Sequence, residues 1–280
     1  MIKWGFRSVL FGFVFLILLI LLADVLYINN DAIKEVYQSD YIRNALLLTI
    51  ETSLTTLVLC ILIGVPVAYT LSKAKSKGFI IADILIDLLI ILPIIVIGIS
   101  ILVFFRVGTD FTQSGNPIVS FLGSIVQSLG EFFIYTKAGI VLVQFFCSIP
   151  FTVRAIKAGF DQINPRLEQV ALILGCTPTQ AFFKVSLPLA KSSVVAGAIL
   201  GWARAFGLYG AVAIVAGTVR NKTEVLSSSV FLEISIGRVD IALVISLLMI
   251  IIAFVVLLSF RLVFKDNIFG TSNHDQNRKY

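Results

Sequence analysis

The sequence has little charge, histidine or cysteine for its length. Charged residues make up 14% of the 280 positions, and one histidine, His274, and three scattered cysteines, Cys60, Cys147 and Cys176, are present. This spacing excludes a histidine–cysteine metal cluster and a disulfide framework, so we predict no metal and no cofactor. A phosphate-binding loop of the form Gly-x-x-x-x-Gly-Lys-Ser/Thr is also missing, so we expect neither ATP binding nor enzymatic activity in this chain.

Apolar residues are abundant instead. They make up 58% of the chain, and the mean hydropathy is +1.01. This composition leaves too little polar surface to cover a soluble globule. Uncharged apolar runs of about 18 residues or more are typical of membrane helices, because the hydrocarbon core is roughly 30 Å thick and a helix rises about 1.5 Å per residue. The sequence therefore predicts an all-α, polytopic membrane protein.

The order of apolar runs predicts about six transmembrane helices. We place them at 9–28, 43–71, 80–105, 137–157, 190–216 and 239–264. The apolar stretch 117–129 is too short to span and is predicted to lie at the surface as an interfacial or re-entrant helix. The domains that follow are a retained signal anchor with its external loop (1–42), a membrane domain that contains the long loop 158–190 (43–264) and a short polar tail (265–280).

The distribution of basic residues sets the orientation. Of the 22 Lys and Arg, fourteen lie in segments assigned to the cytoplasm, seven lie outside, and Arg204 lies within a span. This is the positive-inside pattern of a multi-pass protein of the cell membrane with both termini cytoplasmic. The net charge of +6 thus reflects topology, and we expect no nucleic-acid partner.

The predicted spans contain three prolines and two acidic residues that call for an explanation. Pro66, Pro93 and Pro150 are expected to kink their helices, either as ordinary membrane-helix kinks or as part of a pathway that opens on both sides. Asp83 and Asp87, near the cytoplasmic end of the third span, are expected to pair with the lysine-rich loop 73–77.

The segment 158–190 is the most informative loop. Asn164-Pro165 predicts a helix N-cap and first turn, Gly175 predicts the end of that helix, and Thr177 with Gln180 predicts a capping box that starts a second helix. Apolar residues repeat on one face of the first helix, at Leu167, Val170, Ala171 and Leu174. Two short helices joined by a glycine are thus predicted to protrude into the cytosol, where they either lie on the bilayer or bind a partner.

This loop resembles the EAA loop of binding-protein-dependent ABC importer permeases. The resemblance rests on Glu168, Ala171, Gly175 and, twelve residues later, Leu187-Pro188. It implies that the loop is a coupling helix that docks in a cleft of a separate ATP-binding cassette ATPase, with Glu168, Ala171, Gly175 and Pro188 as the coupling residues.

The flanking segments are similar to the molybdate, tungstate and sulfate branch of these permeases, through 148–154, 190–205 and 210–217. That resemblance implies an oxyanion cargo, an extracytoplasmic solute-binding protein, two ATPase subunits and a second copy of this chain. One departure concerns Arg204, because the glutamate that commonly follows it one turn later is replaced by Leu208.

Two charges at membrane depth are candidate pathway residues. An ionisable group there costs at least about 2.5–3.5 kcal/mol, so it normally faces a partner or water. Glu51 and Arg204 are predicted at similar depths, and they either pair with each other or face protein and water separately. Three other functions stay open: a secondary transporter or channel with a Glu51/Arg204 relay, a permease for another small solute, and a membrane anchor.

Overall fold

The structure, a computed structural model, describes residues 2–74 and 76–263. All regular structure in these ranges is helical, as expected. The helices, in chain order, are α1 (Ile2–Leu26), α2 (Asn30–Gln38), α3 (Asp40–Lys73), α4 (Lys77–Ile91), α5 (Ile94–Phe111), α6 (Pro117–Phe133), α7 (Lys137–Asp161), α8 (Pro165–Ile173), α9 (Pro178–Leu189), α10 (Lys191–Phe206), α11 (Gly210–Val215), α12 (Leu226–Ser235) and α13 (Val239–Val263). The tail 265–280 lies outside the described residues.

Helix length and composition support a polytopic membrane protein. Five helices, α1, α3, α5, α7 and α13, are long and apolar enough to cross a bilayer, and the bent pair α9–α10 brings the number to six if it is one span. The all-α fold class is therefore confirmed.

Two predicted spans differ in detail from the structure. The run 80–105 is split into α4 and α5, because Pro93 has no N–H to continue the helix and forces Leu92 into an extended conformation with ψ of 135°. The run 190–216 ends at Phe206, and the chain restarts as α11 after a break at 207–209. Hydropathy alone cannot detect such breaks, because the residues on either side of them are equally apolar.

Helix α7 forms the centre of the bundle. Just over half of its apolar window is buried, whereas the corresponding window of α1 contains no buried residue. Close packing of α10 on α7 depends on two glycines, since a Cβ at Gly201 would lie 2.2 Å from Thr152 Oγ1 and one at Gly197 would lie 2.9 Å from the Thr152 carbonyl oxygen. Small residues at these positions let the two backbones approach, as is common between membrane helices.

Polar side chains satisfy the backbone where α10 ends. Gln144 of α7 accepts a hydrogen bond from Thr56 Oγ1 at 3.0 Å and donates to the carbonyl oxygen of Ala205 at 3.1 Å. Ser227 Oγ donates to the carbonyl oxygen of Leu208 at 2.8 Å. A broken helix is tolerated at membrane depth when other protein groups replace its lost backbone bonds in this way.

Helix α4 is attached by an ionic cluster that differs from the predicted one. Asp83 and Asp87 pair with Arg154 of α7, at 2.8 and 2.6 Å, and neither forms an ion pair with Lys73 or Lys77 of the predicted loop. The two aspartates lie one helical turn apart and so face the same neighbour. Arg154 holds both carboxylates and also donates to the Asp83 carbonyl oxygen at 2.9 Å.

Candidate functional site: the coupling loop

The predicted coupling loop, called the coupling loop below, consists of α8, Gly175 and α9, and its local structure follows the predicted signals. Asn164 Oδ1 accepts a hydrogen bond from the Arg166 backbone N–H at 3.0 Å, and Pro165 occupies the first turn. The Thr177–Gln180 capping box is present with both reciprocal hydrogen bonds, at 3.0 and 3.2 Å. Both helix starts are therefore confirmed.

Gly175 reverses the chain between α8 and α9. Its φ is +90°, a value that L-residues rarely adopt, and the space around it is open. The glycine is thus required for its backbone conformation and not for close approach. The Gly175 N–H donates to the Leu172 carbonyl and the Cys176 N–H donates to the Ala171 carbonyl, both at 3.0 Å. These bonds satisfy the last carbonyls of α8 in a Schellman-type C-cap.

The apolar stripe of α8 faces outward. Ile173 and Leu174 are 84% and 79% exposed, and Leu167 and Val170 are about half exposed, whereas Ala171 is buried. We call four of the exposed apolar side chains of α8 and its C-cap, Leu167, Val170, Ile173 and Leu174, the apolar tip. A contiguous apolar surface displayed by a rigid element indicates a protein–protein or membrane contact site.

Glu168 points away from the apolar tip and into the protein. Its side chain is only 14% exposed, and its Oε2 lies 3.0 Å from Nζ of Lys73, which is 30% exposed. Ser186 Oγ donates a hydrogen bond to the other carboxylate oxygen, Oε1. We call this set, Lys73, Glu168 and Ser186, the Glu168 clamp. It fastens α8 to the end of α3 and to α9 at the same time.

A π-helical turn brings Ser186 into the Glu168 clamp. Residues Phe182–Ser186 within α9 are wound as a π-helix, and the Leu187 N–H donates to the Phe182 carbonyl five residues back. Such turns are rare and frequently occur at functional sites. Phe182 packs edge-to-face on Tyr69 of α3 with ring centroids 4.7 Å apart, so α9 and α3 are also joined by an aromatic contact.

Pro188 lies just beyond the π-turn, on the exposed side of α9. Helix α9 ends one residue later, and at Ala190 the axis bends by 72° into α10. The predicted coupling residues therefore have different positions: Glu168 and Ala171 face inward, Gly175 sets the turn, and Pro188 lies near the bend.

The pairing considered for Glu51 and Arg204 is not made within the chain. Glu51 lies 3.6 Å from Lys137, with side-chain exposures of 64% and 62%. Arg204 instead stacks over Phe151, with its guanidinium carbon 5.2 Å from the ring centroid, and its buried Nε has no hydrogen-bond partner among the described residues. Glu51 is an exposed residue, whereas Arg204 is a partly buried cation that forms no ion pair among the described residues.

Two buried acids, Glu224 and Glu233, were not identified as candidate site residues from the sequence. Glu233 is fully buried, 2.7 Å from Arg220 and 3.6 Å from Arg238, and it accepts a hydrogen bond from the Tyr41 hydroxyl at 3.1 Å. Glu224 is buried beside it, and burial raises the pKa of its carboxyl group. No sequence spacing could reveal this cluster, because Tyr41 is 192 residues from Glu233.

Comparison with known proteins identifies the family. Residues 60–267 match the family described as the inner membrane component of binding-protein-dependent transport systems. The chain belongs to this family. It is therefore the permease subunit of an ABC importer, a transport protein whose ATPase is a separate subunit.

Curated relatives and a solved structure agree with this assignment. The permease is 30% identical over 259 residues to the molybdenum transport system permease protein ModB of Mycobacterium tuberculosis, covering 91% of this chain and 92% of that protein. It is 36% identical over 180 residues to the molybdate/tungstate transport system permease protein WtpB of Thermococcus kodakarensis, covering 64% and 62%.

The fold matches a bacterial alginate ABC transporter solved in complex with an alginate pentasaccharide-bound periplasmic protein. The TM-score is 0.72 at 17% identity, over 95% of this chain and 96% of that one. At this identity the likeness concerns the fold alone.

Proposed function

We propose that this permease moves a tetrahedral oxyanion, molybdate or tungstate in preference to sulfate, from an extracytoplasmic binding protein into the cytoplasm. Relatives named for molybdenum and for molybdate/tungstate transport support the cargo class. We place both termini and the coupling loop on the cytoplasmic side, as the distribution of basic residues predicts. A pathway would form between two copies of the chain, each bound to one ATPase subunit.

The observation that carries this proposal is the geometry of the coupling loop. The apolar tip is exposed, and the Glu168 clamp ties the same helix to α3 at 3.0 Å. An element that is apolar outside and ionically anchored inside is suited to pass movement from a partner into the spans. We therefore assign the apolar tip to ATPase binding.

Glu168 and Ala171 receive a different role in this proposal. Both are largely enclosed by this chain, so they position the apolar tip and do not bind the ATPase directly. Gly175 fixes the angle between α8 and α9, and Pro188 lies where α9 approaches the bend at Ala190. These four residues act as positioning residues for coupling.

Arg204 is proposed as a pathway residue. Among the residues that the structure describes, its guanidinium contacts Phe151 and forms no ion pair, and a cation at membrane depth attracts an anion in transit. Glu51 and Lys137, which are both exposed, are proposed to lie near the entrance. A secondary-transport relay between Glu51 and Arg204 is not favoured, because Glu51 pairs with Lys137 instead.

The central test is uptake into proteoliposomes that contain the permease with its ATPase and binding protein. Uptake of molybdate or tungstate is expected to require internal ATP and loaded binding protein and to be insensitive to a collapsed proton gradient. Uptake that follows the proton gradient without ATP contradicts the proposal. Equal uptake of sulfate by the same complex contradicts the cargo preference alone.

The apolar tip is tested by binding of the ATPase. Ile173→Ser with Leu174→Ser is expected to weaken the permease–ATPase complex at least tenfold, because it removes two of the most exposed apolar side chains of the tip. The matched control is Val219→Ser, which alters an exposed apolar residue outside the coupling loop. Binding that survives the double substitution unchanged removes the tip from the interface.

A further inference from the structure

A groove between α10 and α13 has the form of a lipid site. It encloses about 740 Å³ and is lined by residues one helical turn apart on each helix. Consecutive spans cross the membrane in opposite directions, so α10 and α13 run antiparallel. The start of α10 therefore lies at the same level as the end of α13, on the side of the coupling loop.

One end of the groove is polar and basic. Ser192 and Ser193 line it from the first turn of α10, and Arg261 lines it from the last turn of α13. The start of α10 carries the positive end of the helix dipole, which adds to the positive charge at this end of the groove. No side chain caps this helix start. Arg261 forms no ion pair within the residues that the structure describes.

The rest of the groove is apolar. Leu200 lines it from α10, and Phe254, Leu257 and Leu258 line it from α13. From residue 254 to 261 the groove runs about 10 Å along α13 at about 1.5 Å per residue. This distance is most of one leaflet, which is about half of a roughly 30 Å hydrocarbon core. A basic end at the membrane surface followed by an apolar channel matches an anionic head group and its acyl chain.

We propose that this groove binds one anionic phospholipid of the leaflet on the coupling-loop side. Its phosphate would lie between Arg261 and the Ser192 and Ser193 hydroxyls. Basic pockets between spans on the cytoplasmic side are the kind of site that binds acidic head groups. The lipid would then contact α10 immediately after the bend that joins it to the coupling loop.

A second copy of the chain is a weaker candidate for this groove. Helix α1, whose apolar window contains no buried residue, carries Arg7 near its first turns and no acid there. Two copies that cross the membrane in the same direction would bring Arg7 of one copy to the level of Arg261 of the other. These like charges would oppose docking. An anionic lipid supplies the opposite charge.

The proposal is tested by native mass spectrometry of the purified, delipidated permease with phosphatidylglycerol or phosphatidylcholine of equal chain length. We expect one phosphatidylglycerol per chain to bind more tightly than phosphatidylcholine. Arg261→Gln should weaken phosphatidylglycerol about fivefold, the change expected for one basic residue near an anionic surface. The control Lys77→Gln removes a basic residue outside the groove and should change nothing.

A second pair of variants tests the apolar channel. Leu258→Trp fills the groove and should reduce binding of phosphatidylglycerol, whereas Val255→Trp, on an exposed position of α13 outside the groove, should not. Equal affinity for the two lipids, or an Arg261→Gln variant that binds phosphatidylglycerol like the wild type, overturns the proposal.

The competing occupant is tested by cross-linking. Ala196→Cys in the groove and Phe11→Cys on the exposed face of α1, combined in a Cys176→Ser background, should not cross-link two copies with a short bifunctional maleimide. A cross-linked dimer together with loss of lipid selectivity would assign the groove to an interface between copies and refute the lipid site. These measurements need neither ATPase nor cargo, so their failure is separate from a failure of the proposed function.

Discussion

Breaking the Lys73–Glu168 ion pair should release the apolar tip from the spans. At 3.0 Å, two unit charges attract by about 5.5 kcal/mol at an effective dielectric constant near 20. Most of this attraction is offset by desolvation and by side-chain ordering. Because the pair is neither fully exposed nor fully buried, we expect a net contribution of about 1–2 kcal/mol.

The assay uses Ala171→Cys as a reporter. Ala171 is 8% exposed, so a thiol there should react with a maleimide only when α8 separates from its neighbours. If α8 opens and recloses faster than the thiol reacts, the labelling rate follows the population of the open state. A loss of about 1–2 kcal/mol then raises the labelling rate about 5- to 30-fold, since 1.4 kcal/mol is a factor of ten. Lys73→Met and Glu168→Gln should both produce this increase in a Cys176→Ser background.

Charge reversal distinguishes an internal clamp from a contact with the ATPase. Glu168→Lys alone places two ammonium groups together and should give fast labelling and low uptake. Adding Lys73→Glu restores an ion pair with exchanged signs, and the Ser186 hydroxyl can accept as well as donate, so labelling and uptake should recover in part. If the double variant is no better than Glu168→Lys while ATPase binding is lost, Glu168 contacts the partner and the reasoning is wrong.

Three further predictions follow from the described contacts. Gly175→Ala should destabilise the coupling loop by about 1–2 kcal/mol, because residue 175 has a positive φ that L-residues rarely adopt. The Ala171→Cys reporter measures this loss. The control Gly78→Ala, at a position with open space and an ordinary φ, should not change the labelling rate. Arg154→Gln should lower the thermal unfolding midpoint, at a cost of about 1–3 kcal/mol, because it leaves two carboxylates unpaired; Arg154→Lys should recover only part of the loss since it cannot hold both. Because burial raises the pKa of the Glu224 carboxyl, the folded protein holds that proton more tightly than the unfolded chain, and stability should fall as pH rises above the ordinary carboxyl range, about 4.3. The midpoint of Glu224→Gln should depend less on pH, and an identical pH dependence in the two proteins would contradict this.

Local signals in the sequence predicted the coupling loop well. The N-cap at Asn164, the capping box at Thr177 and the turn at Gly175 each depend on a few neighbouring residues, so their physics is contained in a short segment. The roles of the coupling residues stay predictions. The inward direction of Glu168 was not foreseeable, because its partner Lys73 lies on another helix far along the chain.

Long-range ionic contacts account for most of the errors. Lys73 forms an ion pair with Glu168, and both Asp83 and Asp87 form ion pairs with Arg154. Sequence proximity had instead suggested that the two aspartates pair with the lysine-rich loop that contains Lys73. Charge patterns indicate which groups need partners, but only the packing of the helices decides which partner is near. The break at Pro93 was likewise expected only as a kink, since its extent depends on how α4 leans against α7.

If the ATPase pushes on the coupling loop as proposed, the 72° bend at Ala190 determines how that push reaches α10. The cosine of that angle is about 0.3, so less than a third of a displacement along α9 is transmitted as sliding of α10 along its own axis. The remainder acts across the axis. Helix α10 is about 24 Å long at about 1.5 Å per residue, and its far end is held through the Leu208 carbonyl by Ser227. Such a joint converts a linear stroke into a swing of the near end about a fixed far end.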